Sequence, residues 1–232
     1  MVLLLSSLAF AESATVTLRY TMTLDGQAIG HREVTVTSMG PDLRMVEVWT
    51  EGDLPLDVHF EQKLTGLASG DPQPFSAVNE ERGLPSEVQL TKAPEGWVVH
   101  VAEPTRVGKS THAWGAFDET SLSLVDPGGV RLRDGQTLDV LSAETGEILS
   151  GPLKEAGPVD VTVDGASLRG VSYIWTVDGQ ELELVYGEDG TPLRYRSVLL
   201  GQTVELALDA PPDWGEALEA PIVGPQVKEE EL

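Results

Sequence analysis

The sequence predicts an all-β protein whose large curved antiparallel sheet forms an incomplete or closed barrel, with a two-sheet sandwich as the alternative. Apolar and polar residues alternate with a period of two along many short stretches, which is typical of strands with one buried face. Five Asp-Gly pairs fall where such stretches end, as expected for hairpin turns. These stretches correspond to about a dozen strands, and a sheet of that size must curl or pair with a second sheet.

The clearest strand covers residues 15–24. One face is predicted to carry the apolar series Val16, Leu18, Tyr20, Met22 and Leu24, while threonines and an arginine occupy the other face. Asp25-Gly26 ends this run, and alternation resumes over residues 34–37. The pattern indicates a hairpin with a longer or bulged connection.

The same alternation recurs along the rest of the chain, over residues 54–61, 159–163, 171–177, 182–186, 193–196 and 204–208. At most one short helix is expected, near residues 118–125. Asp118-Glu119-Thr120 can cap its start, and Pro127-Gly128-Gly129 would end it.

Residues 1–11 have the layout of a secretory signal peptide. Val2 to Leu8 is a short, largely apolar run, and Ala9 and Ala11 occupy the positions that a signal peptidase reads, so the mature protein is expected to begin at Glu12. The protein is therefore predicted to be exported to the periplasm or the extracellular space. Such a signal usually opens with Lys or Arg, and none precedes Val2, so we expect the natural chain to begin further upstream.

Residues 12–209 are expected to form a single antiparallel β domain. The stretch after them, residues 210–232, contains four prolines and a charged end, which predicts a Pro-rich acidic tail. The apolar run of the signal is too short to cross a bilayer as a helix, so the protein is not expected to span a membrane.

Composition limits the classes of partner. The chain has 15 Lys and Arg against 38 Asp and Glu, a net charge of −23. A surface this acidic repels phosphate backbones, so no nucleic-acid partner is expected. The chain has no cysteine, which excludes thiol chemistry and a lipid anchor on a new N-terminal cysteine.

Catalytic and metal-binding signals are weak. Gly108-Lys109-Ser110-Thr111 resembles the end of a phosphate-binding loop, but Glu103 stands where that loop needs its first glycine. No serine lies in a nucleophile elbow, and neighbouring carboxylates on a strand face opposite ways. The four histidines lack metal-ligand spacing: His31, His59, His100 and His112. We therefore expect no catalytic residue, no metal site and no cofactor.

Aromatic residues are the remaining candidates for a binding site. Six of them could line an apolar interior and contact a ligand, with ordinary core packing as the alternative role: Trp49, Phe60, Trp97, Trp114, Trp175 and Tyr186.

Short motifs in both halves resemble a family of exported bacterial β-proteins known only as a domain of unknown function. They are Tyr20, Gly26 and Ile29-Gly30, Asp118 to Leu122, Leu132 to Gln136, Asp189 to Leu193 and Gly201-Gln202. The resemblance covers residues 14–209. It implies a curved antiparallel sheet similar to the half-barrels of periplasmic lipoprotein carriers, which hold acyl chains on a concave apolar face. It brings no catalytic residues.

These observations favour a non-enzymatic envelope protein that binds a hydrophobic ligand, such as a lipid or acyl chain, or an extended partner on its curved sheet. One alternative is a structural or assembly protein that pairs a strand edge with another envelope protein. The other is an envelope hydrolase that depends on carboxylates or histidines, which would need several of these groups to converge in one cleft.

Overall fold

The computed structural model describes residues 15–39, 43–54, 58–68, 71–127, 132–199 and 201–212. The elements are β1 (Thr15–Leu24), β2 (Gln27–Ser38), β3 (Arg44–Leu54), β4 (Val58–Ala68), β5 (Phe75–Glu81), β6 (Leu84–Ala93), β7 (Gly96–Glu103), β8 (Arg106–Ala113), β9 (Glu119–Thr120), α1 (Ser121–Val125), β10 (Thr137–Leu141), β11 (Ile148–Val163), β12 (Ala166–Val177), β13 (Gln180–Gly187), β14 (Pro192–Leu199) and β15 (Gln202–Leu208). The predicted signal peptide, its cleavage site at Ala9, Ala11 and Glu12, and most of the predicted tail lie outside these residues.

All fifteen strands belong to one sheet, in the order β8-β7-β6-β5-β4-β3-β2-β1-β15-β14-β13-β12-β11-β10-β9. The first eight strands form one meander, and the pairing of β1 with β15 joins it to a second meander, β10–β15, at whose edge β9 pairs with β10. All pairs are antiparallel except the short pair of β9 with β10. Strands β8 and β9 end the sheet and do not pair with each other within the described residues, so the all-β class and the incomplete barrel are confirmed.

The sheet curls strongly enough to bring distant strands together. Leu64 of β4 and Leu149 of β11 line the same cavity although seven strands separate them in the sheet order. The loop before β11 also reaches the far end of the first meander, where a Cβ atom on Gly146 would lie 2.5 Å from Val101 Cγ2 on β7. The apolar face of each strand is therefore the concave, inner face.

Tight turns connect most strands, as the Asp-Gly pairs predict. Asp25, Asp164 and Asp178 adopt left-handed backbone angles, each followed by a glycine with positive φ, which is the geometry of two-residue hairpin turns. The turn between β5 and β6 has the same geometry at Arg82 and Gly83. An arginine at a left-handed position carries no sequence signal for a turn, so this hairpin was not predicted.

The single described helix, α1, lies against the inner face of the sheet. Thr120 and Ser123 form a reciprocal capping box at its start, which confirms the short helix predicted near residues 118–125. Its end is fixed by a buried ion pair between Asp126 and Arg44 of β3. Arg44 Nε donates to Asp126 Oδ1 at 2.9 Å, and Arg44 Nη2 donates to Asp126 Oδ2 at 2.6 Å. No helix among the described residues is long and apolar enough to cross a membrane.

Candidate functional site

A cavity of about 640 Å³ lies inside the curled sheet. Strands β2–β4 form one wall, β11–β14 form the opposite wall, and α1 lies between them. The apolar part of the lining includes Leu124, Leu149, Trp175, Leu182 and Leu184. This volume falls within the range of about 300–1,000 Å³ that is usual for small-molecule sites.

A row of polar side chains crosses the inner face at the edge of the cavity. Arg32, Thr50, Gln62 and Asn79 are cross-strand partners on β2, β3, β4 and β5, in that order. We call these four residues the polar row. Arg32 Nε donates to Thr50 Oγ1 at 2.9 Å, and Gln62 Nε2 donates to Asn79 Oδ1 at 2.9 Å. The row therefore places neutral and cationic donors beside the apolar part of the cavity lining.

Asn79 also fixes the loop that covers one side of the cavity. Its Nδ2 donates to the carbonyl oxygen of Ala143 at 3.0 Å. The next residue, Glu144, is exposed and lines the cavity together with Arg32 and Gln62. The polar row thus sets the position of a carboxylate at the cavity margin.

Arg32 is the cationic residue of the cavity lining. Burial lowers the pKa of its guanidinium from the usual value, and the nearby phenol of Tyr195 and carboxylate of Glu144 act in the opposite direction. The described residues provide this side chain with one hydrogen bond, to Thr50, and with no ion pair. An arginine has five N–H donors, and the hydrogen bond to Thr50 uses one of them, so the described residues leave the two Nη groups of this lining residue without a hydrogen-bond partner.

Two tyrosines tie α1 to the second meander. Tyr186 Oη donates to the carbonyl oxygen of Leu124 at 3.0 Å, and Tyr195 Oη donates to the same oxygen. Burial raises the pKa of both phenols, so they remain protonated donors at neutral pH. This shared acceptor fixes the helix end at the cavity wall.

Four of the six predicted aromatic residues lie in the interior. Trp175 lines the cavity, with its Nε1 donating to Leu138 O at 3.2 Å, and Tyr186 is buried in the same apolar cluster. Trp97 is buried in the larger apolar cluster, which contains residues of both meanders, and Phe60 packs against that cluster. A direct ligand contact for Trp97, Phe60 or Tyr186 stays a prediction.

The other two aromatic residues lie outside the interior, which corrects the expected placement. Trp49 alternates with the inward Val48 and Thr50, so it faces outward, where its Nε1 donates to Glu61 Oε1 at 3.2 Å. Trp114 follows the end strand β8 and is 52% exposed, with one edge against the Trp97 ring. Their sequence neighbours showed no alternation that would have assigned either to the outer side.

The histidines are distributed along the first meander. His31 Nε2 lies 3.7 Å from Glu51 Oε1, and His59 Nδ1 lies 3.0 Å from Asp53 Oδ1. His112 contacts Ser110 on β8, beside a second cavity of about 390 Å³. Within the described ranges, no group of three or more His, Asp or Glu side chains is arranged to hold a metal ion.

Sequence reasoning missed the polar row, although a signal for it was present. Extending the two-residue period back from Val34 puts Arg32 on the apolar face, and extending it from Leu64 puts Gln62 there. Each polar residue looks like the end of an apolar series when its strand is read alone. Only the register between strands aligns them.

Comparisons with known proteins support the fold. No family model matches the chain, and no curated protein matches it. Among solved structures, the chain is similar to the crystal structure of a beta-barrel-like protein of a domain of unknown function, DUF1849, from Brucella abortus. The TM-score is 0.58 with 10% sequence identity, over 85% of this chain and 96% of that chain. The chain therefore shares its fold with a barrel-like protein of a domain of unknown function, and the expected likeness to lipoprotein carriers stays a prediction.

Proposed function

We propose that the protein is a non-enzymatic binding protein of the cell envelope that holds a hydrophobic ligand, such as an acyl chain, in the cavity of its curled sheet. The observation that carries this proposal is the cavity of about 640 Å³ between the two meanders. Leu149, Trp175 and Leu182 supply apolar surface to the lining, and apolar surface removed from water contributes about 25 cal/mol per Å². Lipoprotein carriers would be functional analogues under this proposal.

Binding of a neutral, apolar fluorescent dye tests the proposal. We expect N-phenyl-1-naphthylamine to bind the purified protein and to lose at least about tenfold in affinity in Ser197→Trp, because an indole at this position on β14 fills the cavity. Ser150→Trp is the matched control, since Ser150 is exposed and alternates with the cavity residue Leu149 on β11. Equal dye binding by both variants, with both folded by circular dichroism, contradicts the proposal.

Export is part of the proposal and has its own test. Residues 1–11, with Ala9 and Ala11 at the positions that a signal peptidase reads, support a cleaved signal. Fractionation of bacteria that express the natural gene, followed by N-terminal sequencing, is expected to find the protein in the envelope fraction with Glu12 as its first residue. A cytoplasmic protein that keeps residues 2–11 contradicts export, and turnover of acyl-ester substrates by the purified protein contradicts a non-enzymatic role.

The strand edge of β8 supports a second candidate function, pairing with a strand of another envelope protein. This eight-residue strand ends the sheet, and Val107 on it is 83% exposed. An edge of this kind offers backbone donors and acceptors to an incoming strand. A photo-crosslinker at position 107 is expected to capture one defined partner in cells, and Lys109→Pro is expected to abolish the adduct. No adduct, or an adduct that survives the proline, contradicts this candidate.

A further inference from the structure

Three arginines with described surroundings are buried or half-buried, and two of them have a carboxylate partner. Arg44 donates twice to Asp126, and Arg194 Nη2 donates to both oxygens of Glu183 at 3.2 Å. Arg32 has no carboxylate partner among the described residues, because its one hydrogen bond goes to the hydroxyl of Thr50. Among the described arginines, the other two shielded guanidinium groups are therefore paired with a carboxylate, whereas Arg32, which lines the cavity, is not.

A shielded cation without a direct ion pair is costly, because a guanidinium keeps its charge and loses part of its hydration, and the exposed carboxylate of Glu144 offsets this only in part. Burial lowers the pKa of Arg32, which indicates the same unfavourable transfer. A hydrophobic side chain would fill the position on β2 without this cost. An anion in the cavity would compensate the charge.

The charges around the cavity are arranged by depth. Arg32 is half-buried on the inner face of the sheet. The carboxylates of the lining, Glu144, Asp178 and Glu181, are all exposed and therefore lie at the cavity margin. The lining thus combines a half-buried cation with the apolar side chains of Leu149, Trp175 and Leu182, and its three carboxylates are all exposed to water.

We propose that Arg32 binds the acidic head group of a single-chain amphiphile, whose hydrocarbon chain packs against Leu149, Trp175 and Leu182. The inference rests on the proposed function and narrows its ligand class from hydrophobic molecules to anionic amphiphiles. A guanidinium fork donates two parallel hydrogen bonds to a carboxylate or a phosphate, which gives a preference for an acid over an alcohol of the same chain length.

Calorimetric titration at pH 8 with four probes of one chain length tests this: dodecanoate, dodecyl phosphate and dodecyltrimethylammonium, each below its micellar concentration, and dodecanol below its solubility limit. We expect the wild-type protein to bind at least one anion about 10- to 100-fold more tightly than dodecanol, which is the range for a hydrogen-bonded charge. The two anions distinguish a carboxylate from a phosphate as the natural head group.

Variants then assign the preference to one side chain. Arg32→Gln is expected to reduce anion binding to the level of dodecanol and to leave dodecanol binding within about twofold, and Arg32→Lys is expected to keep part of the preference. Arg196→Gln is the matched control, because Arg196 is exposed and alternates with the cavity residues Tyr195 and Ser197. If Arg32→Gln does not fold, Arg32→Lys and the wild-type ranking of the four probes still decide the question.

Two results would overturn this inference while the proposed function stands: dodecanol binding as tightly as both anions, or a preference for an anion that Arg32→Gln retains. Tighter binding of dodecyltrimethylammonium than of either anion would also overturn it and would assign recognition to the marginal carboxylates. Failure of the proposed function is distinguishable, because the neutral dye would then also be insensitive to Ser197→Trp.

Discussion

The buried pair of Arg44 and Asp126 should control both the stability of the protein and the position of α1. The Asp126 side chain is fully buried, and the two hydrogen bonds from Arg44 are the only ion-pair contacts that the described residues give it. Replacing Arg44 by methionine keeps most of the side-chain volume but leaves a carboxylate in the interior. Loss of one partner of a buried pair costs about 3–5 kcal/mol.

The cost of Arg44→Met should depend on pH in a specific direction. In the wild-type protein, burial raises the pKa of Asp126, although the hydrogen bond and charge of Arg44 lower it. Without Arg44 only the raising effect remains, so Asp126 is expected to fold in its protonated form. An unfolded Asp has a pKa of about 3.9, and keeping it protonated in the folded state costs about 1.4 kcal/mol for each pH unit above that value. The free energy of unfolding therefore falls by about 4 kcal/mol at pH 7 and by about 1.5 kcal/mol at pH 5. A raised carboxyl pKa in the folded state means that stability is lost as the pH rises above about 4.

Urea unfolding of the full chain at pH 5, 6 and 7, followed by circular dichroism, measures this effect. Relative to wild type at each pH, Arg44→Met should lose about 3–5 kcal/mol at pH 7 and about 2–3 kcal/mol less at pH 5. Asp126→Asn is the informative comparison, because the guanidinium that it leaves unpaired stays charged, so its cost should vary with pH less than the cost of Arg44→Met. Arg196→Met, at an exposed position, should change stability by less than about 0.5 kcal/mol. Parallel pH profiles for Arg44→Met and Asp126→Asn, or a cost below about 1 kcal/mol for both, would refute this reasoning.

Two further results are expected. Tyr186→Phe and Tyr195→Phe should each lower the free energy of unfolding by about 0.5–1.5 kcal/mol. The double variant should cost more than the sum of the two, because only then does the buried carbonyl of Leu124 lose both donors. Strict additivity would show that the shared acceptor is unimportant. The imidazole of His59 should titrate above its usual value in an NMR pH series, because its pKa is raised chiefly by the hydrogen bond to Asp53. The stabilising effect of that pair is present below about pH 6.5 and is lost as the pH rises through the raised pKa. Asp53→Asn should return the pKa of His59 toward its usual value, and an unchanged titration would contradict the assigned cause.

The parts of the fold that the sequence predicted are those in which local pattern and final environment agree. Residues 15–24 alternate without interruption, and four of the five apolar residues of that series are buried on one face of β1, with Leu24 half-buried at the strand end. The turns at Asp25 and Asp178 were predictable for the same reason, since their left-handed backbone angles are a local property of the residue type.

Strands that depend on their neighbours were not predictable in full. β11 runs for sixteen residues through Gly151, Pro152, Gly157 and Pro158, all of which normally weaken a strand, and alternation indicated only its last five residues. The register of β11 with β12 shifts by one residue between Glu155 and Gly157, which lets the strand continue past the positive φ of Gly157. β8 lacks alternation because it ends the sheet and its described side chains are exposed or half-buried.

The sequence predicted an apolar interior site but not the arginine that lines it. An interior lined by aromatic residues was expected, and Trp175 lines the cavity. Trp49 could not be assigned to the outer face because its strand was not identified. Arg32 was missed because its importance comes from the register of β2 with β3 and from the curl that brings β11–β14 opposite it, and neither is a property of one strand.

Native mass spectrometry of the protein, purified from its own envelope fraction without detergent, tests binding in the cavity most directly. If the cavity holds an acyl chain, the wild-type protein and Ser150→Trp should carry a non-covalent adduct with the mass of a single-chain amphiphile, and Ser197→Trp should be found without it. A bare wild-type protein that also fails to take up the neutral dye, or an adduct that persists unchanged in Ser197→Trp, would contradict a ligand-binding role for the cavity.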